Sequence, residues 1–252
     1  MAEPTRRFSS RVESYVKYRP SYPAGVVDLL ATECGLRAGT LVADVGSGTG
    51  LLAELLLRRG CQVYGVEPNP EMRAAGERLL SGYTHFVSVD GTAEATTLPD
   101  RGVDCVTAGQ AFHWFDRGGA RAEFARILRP GGWVALVWND RRVATTPFLA
   151  AYERLLQTYA VDYGQVNHKL VDDAAIGAFF APGGFRTASF ENRQEFDYAG
   201  LQGRLLSSSY TPEPGHPSYD PMLAELRRIF EAHQSGGRVM FDYDTIVYYG
   251  QL

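Results

Sequence analysis

Apolar and polar positions along the chain change period repeatedly, and each change marks an element. Residues 23–34 (PAGVVDLLATEC) put Val26, Val27, Leu29 and Leu30 on one side of a helix. Residues 40–45 form a short, mainly apolar run that predicts a buried strand. Helical spacing returns at 51–59 and stops at Gly60, a residue suited to a C-cap. A strand at 62–67 (QVYGVE), a helix at 70–80, strands at 85–89 and 103–108 (VDCVTA) and a helix at 117–128 follow. The turn RPGG then leads into a strand at 133–138 (WVALVW). Apolar strands alternating with helices predict parallel strands covered on both faces. Right-handed crossovers turn them into a doubly wound α/β sheet.

After Asn139 the rhythm breaks. Residues 147–162 and 171–181 read as helices that form an inserted cap, and APGG ends them. Residues 185–196 alternate as a long strand, 221–233 return to helical spacing, and 239–250 (VMFDYDTIVYYG) close the chain as an aromatic-rich strand. With no long crossover between them, the last two strands predict an antiparallel hairpin at one edge of a mostly parallel, seven-stranded sheet. YTPEPGHPSY reads as a surface loop. The predicted organisation is an N-terminal lid at 1–22, a cofactor-binding core at 23–140, a helical insertion at 141–184 and a sheet-completing part at 185–252.

The chain has 252 residues, 45% of them hydrophobic, which suits one α/β domain with an insertion. The net charge is −4 and no basic run occurs, so a nucleic-acid surface is not expected. Lys17 and Lys169 are the only lysines; arginine, a carboxylate and phosphate clamp rather than a proton-transfer group, carries nearly all positive charge. Cys34, Cys61 and Cys105 are scattered and read as buried free thiols. Without a signal-like apolar run at the start or a stretch of 18 apolar residues, the expectation is a soluble, cytoplasmic chain with no membrane partner, a monomer or weak homodimer.

The stretch VADVGSGTGLLAELL (residues 42–56) holds the chemistry. Gly46, Gly48 and Gly50 follow a strand and precede a helix, where positive φ and close approach of a ligand to the backbone are both served. A dinucleotide loop needs G-x-G-x-x-G, but position 51 is leucine; a phosphate loop needs G-K-[ST], which is absent. Asp44 is placed to accept hydrogen bonds from a ligand amine or an ordered loop. Glu67, at the end of the second strand, is placed to accept both hydroxyls of a ribose.

DVGSGTG, GVEPNPEM, GTAEATTLP and LRPGGWVALV together resemble the class I S-adenosylmethionine-dependent methyltransferases, over residues 41–138. YVKYRPSYP and QAFHWFD look more narrowly like the group containing trans-aconitate methyltransferases. The resemblance implies a Rossmann-like fold and S-adenosylmethionine as cofactor. It implies that Gly46, Ser47 and Gly48 contact the methionine part, that Asp44 lies near its amino group, and that Glu67 holds the ribose. Pro68 and Met72 would then pack on the adenine, with Thr92, Ala93 and Glu94 along its edge. Thr92 replaces an aspartate common in relatives, leaving the Thr92 hydroxyl or the Ala93 N–H to meet the adenine amine. Gln110 would bring a carbonyl close to the sulfonium.

Methyl transfer from a sulfonium is an in-line displacement that depends on alignment and exclusion of water, so no triad is required, and none is visible. Five histidines without paired spacing argue against a metal site. His113 reads either as a general base or as part of the pocket wall. Asp116 reads as a helix cap. Residues 8–22 read as a lid, with Tyr15 or Tyr18 on the sulfonium and Arg19 on a carboxylate, or as a packed N-terminal arm. Tyr152, Tyr159, Tyr163, Phe179, Phe180 and Tyr210 are the aromatics that would either line a substrate pocket or fill the core. The reading that results is a methyltransferase acting on a small molecule at oxygen, nitrogen or carbon. A non-catalytic nucleotide- or partner-binding module is the alternative, followed by a nicotinamide-dependent oxidoreductase.

Overall fold

In the computed structural model, which describes residues 12–161, 163 and 172–252, the predicted alternation builds one sheet. Helices α1 (Val12–Tyr18) and α2 (Ala24–Cys34) precede β1 (Leu41–Val45). Then come α3 (Leu51–Arg58), β2 (Gln62–Val66), α4 (Pro70–Leu79), β3 (Phe86–Val89), β4 (Val103–Gly109), α5 (Arg117–Ile127) and β5 (Leu128–Arg141). These five strands are mutually parallel. Next are α6 (Pro147–Tyr159), α7 (Asp173–Phe180), β6 (Phe185–Phe196), α8 (Tyr198–Leu206), α9 (Tyr219–His233) and β7 (Val239–Gly250). Strand β7 runs antiparallel to both β5 and β6. The order β3-β2-β1-β4-β5-β7-β6 reverses direction between β1 and β4. That switch point opens a crevice at the carboxyl ends of these two strands, where ligands of such sheets bind.

Both faces of the sheet are covered. Val45, Phe112, Phe124, Leu136 and Phe180 pack on one face under α5 and α7. Val26, Leu30, Leu56, Val63 and Val247 pack on the other under α2 and α3. A third cluster, with Phe148, Tyr152, Leu226 and Phe241 at its centre, joins α6, α8 and α9 to the far end of the β6–β7 hairpin. The two helices expected to form one cap therefore part company: α6 packs with α9, while α7 lies against α5 and the main sheet.

Three local differences from the expected elements have physical reasons. RPGG does not end α5 in a free turn. It bulges out of β5, since Val103 pairs with Leu128 and Cys105 already pairs with Trp133. Asp104 anchors the bulge through Arg129 at 2.7 Å. Helix α1 falls where no apolar stripe could be read, because none of its residues is buried. Helix α8 forms despite Gly200 and Gly203. Asp197 caps it by accepting the Gly200 N–H at 2.7 Å, and Leu201 and Leu205 are buried. Gly203 is needed there because the Tyr18 ring of α1 occupies the space a Cβ would take. The expected lid residues 8–11 and the ends of the two cap helices at 162 and 171 lie outside the described residues. Cys61 and Cys105 are buried free thiols and Cys34 is partly covered. Among the described residues no helix is long and apolar enough to cross a membrane.

Glu123 of α5 holds the loop that follows β3. Its carboxylate accepts the Thr96 N–H at 2.7 Å and the Thr96 hydroxyl at 2.5 Å, and pairs with Arg126 at 2.7 Å. Hydrogen bonding to Arg126, followed by Thr96, holds its carboxyl down to about 2. A carboxyl lower in the folded than in the unfolded chain stabilises above the unfolded value and loses that contribution as pH falls through the folded one. Glu123→Gln should therefore destabilise the protein by roughly 2 kcal/mol at neutral pH. Denaturant titrations should show the gap narrowing as pH drops below about 5; a gap independent of pH would contradict the assignment.

Candidate cofactor and acceptor site

Three glycines shape the loop between β1 and α3, each for its own reason. Gly46, Gly48 and Gly50 have φ of +67°, +57° and +89°, in the left-handed region. A Cβ on Gly46 would sit 2.6 Å from the Ala111 methyl. Gly48 has only the Met72 methyl nearby, at 3.3 Å, and faces an open cleft. A Cβ on Gly50 would meet Leu80 at 2.5 Å, and Gly50 does not border the cleft. It lies beside Leu80 at the start of α3.

Glu67 ties this loop to the end of β2. One carboxylate oxygen accepts the Gly48 N–H at 2.9 Å and the other accepts the Asn69 N–H at 2.9 Å. Arg73 donates to the Glu67 carbonyl at 2.7 Å. Burial pushes the Glu67 carboxyl up, and the Asn69 and Gly48 amides and Arg73 pull it back. With one amide on each oxygen, each keeps further acceptor capacity for a ligand.

The cleft above the loop measures about 900 Å³ with its mouth included, the scale of a site for a nucleoside with an amino-acid tail. Gly46, Gly48, Glu67, Pro68, Met72, Thr92, Ala93, Glu94, Gln110 and Tyr15 all border it, as expected. Thr92 and Ala95 exchange backbone hydrogen bonds, and Glu94 accepts the Asp116 N–H at 2.9 Å, so this wall is rigidly held. Asp116 caps α5 through the Gly119 N–H. Asp44 and Ser47 border a small recess adjoining the cleft at Gly46 and Tyr15. Asp44 is 1% exposed; one oxygen accepts the Thr107 hydroxyl at 2.8 Å, and the other is buried with no partner among the described residues. Burial pushes its carboxyl up to about 7, against the pull of Thr107 and the Ala53 amide.

A second cavity of about 950 Å³, mouth included, adjoins the first. Tyr15, Gln110 and Trp114 border both and stand where the two meet. Gln110 has φ of +55°, uncommon for a residue with a side chain. Two bonds hold it there: its N–H to the Val137 carbonyl at 2.8 Å and its side-chain amide to the Asn139 carbonyl at 3.0 Å. His113, on the single turn Phe112–Trp114 after β4, borders the second cavity rather than the first. Arg19 borders it too, so the structure moves Arg19 from the expected cofactor site to the neighbouring cavity. Tyr18 borders neither; its ring lies on Gly203 of α8, which removes it from the expected catalytic position. Of the six candidate pocket aromatics only Tyr163 and Tyr210 reach this cavity, while Tyr152, Phe179 and Phe180 are core.

Sequence reading missed Asn139, Arg141, Arg204 and Tyr243, which also line the second cavity. They come from three separate elements, β5, α8 and β7. Asn139 has one readable signal, its position at the end of an apolar strand. It is 4% exposed, donates to the Ser21 carbonyl at 3.3 Å and accepts from Thr245 and Asn192. Among the described residues no group of histidine, cysteine or acidic side chains is arranged to hold a metal.

Comparison with known proteins gives one answer. Residues 43–136 match a family described as a methyltransferase domain. An uncharacterised methyltransferase of Mycobacterium bovis is 43% identical over 134 residues, 53% of this chain and 52% of the relative. One from Schizosaccharomyces pombe is 31% identical over 158 residues, 62% of this chain and 60% of the relative. The chain thus spans about half the length of the mycobacterial relative it matches. Among solved structures, a proposed type II methyltransferase of Anaeromyxobacter dehalogenans shares the fold with a TM-score of 0.66 at 22% identity, covering 93% of this chain and 98% of that one. A Haemonchus contortus phosphoethanolamine N-methyltransferase, solved with S-adenosylhomocysteine and phosphomonomethylethanolamine, aligns with a TM-score of 0.53 at 13% identity, over 96% of this chain and 57% of that one.

The partnerless Asp44 oxygen suits the cationic amino group of a ligand. Binding such a group favours the charged carboxylate, so affinity should rise with pH through the range around 7. Calorimetric titration with S-adenosylhomocysteine should show tighter binding at about pH 7.5 than at about pH 6, and little such change in Asp44→Asn. Equal pH dependence in both proteins would remove Asp44 from contact with the ligand amine.

Proposed function

We propose that the chain is a class I S-adenosylmethionine-dependent methyltransferase, a reading supported by the family match over residues 43–136, and that it methylates a small molecule bound in the second cavity. The observation that carries this reading is the shared lining of Tyr15, Gln110 and Trp114, which sets a cofactor-sized cleft directly beside a second cavity. The residues of the first cleft fit the cofactor: a glycine cradle, a tethered carboxylate with spare acceptor capacity and a buried carboxylate oxygen without a partner. When bound, S-adenosylmethionine supplies an electrophilic methyl group.

The protein's own part is alignment. Gly46, Gly48 and Glu67 fix the donor from one side. Gln110, locked by Val137 and Asn139, fixes the geometry of the junction. The aromatic side chains of Tyr15 and Trp114 keep water from it. Holding two reactants in line supplies roughly 7–11 kcal/mol in favourable cases, enough to make a dedicated base dispensable. His113 stands in the acceptor cavity, where it can receive a proton from an acceptor that must lose one.

Incubation with methyl-labelled S-adenosylmethionine and a panel of small acids, phenols and amines should transfer label to at least one of them. Gln110→Pro, which cannot adopt a φ of +55°, should abolish transfer and leave the fold intact by circular dichroism. Transfer to protein or nucleic acid and to no small molecule would overturn the proposed acceptor class.

A further inference from the structure

Among the described residues that line the second cavity, positive charge exceeds negative. Arg19, Arg141 and Arg204 border it, against one carboxylate, Asp140. Arg141 is answered from outside the lining by an ion pair with Glu153. Arg19 and Arg204 have no carboxylate partner among the described residues. The groups acting on Arg19 are the Arg204 guanidinium and the phenols of Tyr15, Tyr210 and Tyr243. Burial pulls Arg204 down, but the phenols of Tyr243, Tyr152 and Tyr210 outweigh it and hold its guanidinium above the usual range, so the repulsion registers on Arg19 alone. Phenols are neutral at pH 7 and balance no charge.

Both guanidiniums are held against one turn. Arg19 donates to the Ser207 carbonyl at 3.2 Å, and Arg204 donates to the Ser208 hydroxyl at 3.1 Å and the Tyr243 hydroxyl at 3.3 Å. Arg204 is 6% exposed. The Arg19 Nε is covered and has no partner among the described residues. Burial, then the Arg204 charge, pull Arg19 below the usual guanidinium range. Two like charges enclosed side by side are unfavourable unless an anion joins them.

Their positions add a mechanical consequence. Arg204 is on α8, within the folded body. Arg19 ends the N-terminal segment, which is also held by the Tyr18 ring against Gly203 of α8, by Tyr22 in the core and by neutral amides. Gln194 donates to the Tyr18 carbonyl at 3.2 Å, Asn139 to the Ser21 carbonyl at 3.3 Å, and Asn192 to the Ser21 carbonyl at 2.7 Å. Repulsion between the two arginines therefore acts on the segment that carries Tyr15, the residue shared by both cavities.

We propose that Arg19 and Arg204 form a binding site for the anionic end of the acceptor, a carboxylate or phosphate, and that its occupation latches the N-terminal segment over the two cavities. This rests on the second cavity being the acceptor site. Acceptor charge then controls closure: an uncharged analogue leaves the two guanidiniums repelling each other and Tyr15 poorly held.

Hydrogen exchange over residues 12–22, with S-adenosylhomocysteine present throughout, tests it. The arms are citrate, inorganic phosphate and sodium chloride at matched ionic strength. Citrate or phosphate should slow exchange about tenfold relative to chloride; whichever acts more strongly identifies the source of the anion. In Arg204→Met the repulsion is gone. The segment should then exchange more slowly without an added anion, and the response to citrate and phosphate should disappear. Arg19→Gln provides the same loss of response from the segment's own side if Arg204→Met does not fold. No anion response in the native protein, or a full response in the arginine variants, overturns the proposal. So does faster exchange in Arg204→Met, which would mark Arg204 as a strut for Ser208 and Tyr243. Binding of S-adenosylhomocysteine is measured alongside; its retention without an anion response refutes this inference and leaves the methyltransferase reading standing.

Discussion

The Glu67 carboxylate, shared between the Gly48 and Asn69 amides, is the constraint on which the site depends. It joins the loop after β1 to the loop after β2, two strands of the switch-point half of the sheet. A carboxylate this well covered requires strong donors, and backbone amides in strained turns require a strong acceptor; each satisfies the other. Gly48 supplies its amide from a turn with a left-handed φ of +57°. Arg73 reinforces the tether from behind through the Glu67 carbonyl and through Asp90. The shape of the cofactor cleft follows from this one connection.

The second cavity is assembled differently. Its walls come from the end of β5, the turn after α8, the β6–β7 hairpin and the segment before α2. Asn139 binds three of these together, accepting from Thr245 and Asn192 and donating to the Ser21 carbonyl. Such a wall can be redecorated without disturbing the cofactor side. A conserved cofactor loop beside a variable acceptor pocket is how one fold serves many substrates.

The first half of the chain was legible because its information is local. The period of apolar residues placed β1 to β4 and their helices within a few residues, and the G-x-G-x-G spacing with Glu67 located the cleft. The second half was legible as strands but not as a pocket. Helix α1 has no buried stripe, the Tyr18 ring lies against Gly203, and Arg19 lines the second cavity rather than the first. Arg204 is 185 positions from Arg19 (204 − 19), and only the fold brings the two together. Gly50, within the motif, lies off the cleft, where a Cβ would meet Leu80 at 2.5 Å.

Calorimetric titration of S-adenosylhomocysteine into the native protein and Glu67→Ala tests the tether most directly. Loss of a charged acceptor that both shapes the loop and meets the ribose should weaken binding by about 1.5–3 kcal/mol, roughly ten- to a hundredfold. An unchanged dissociation constant in Glu67→Ala would contradict the account.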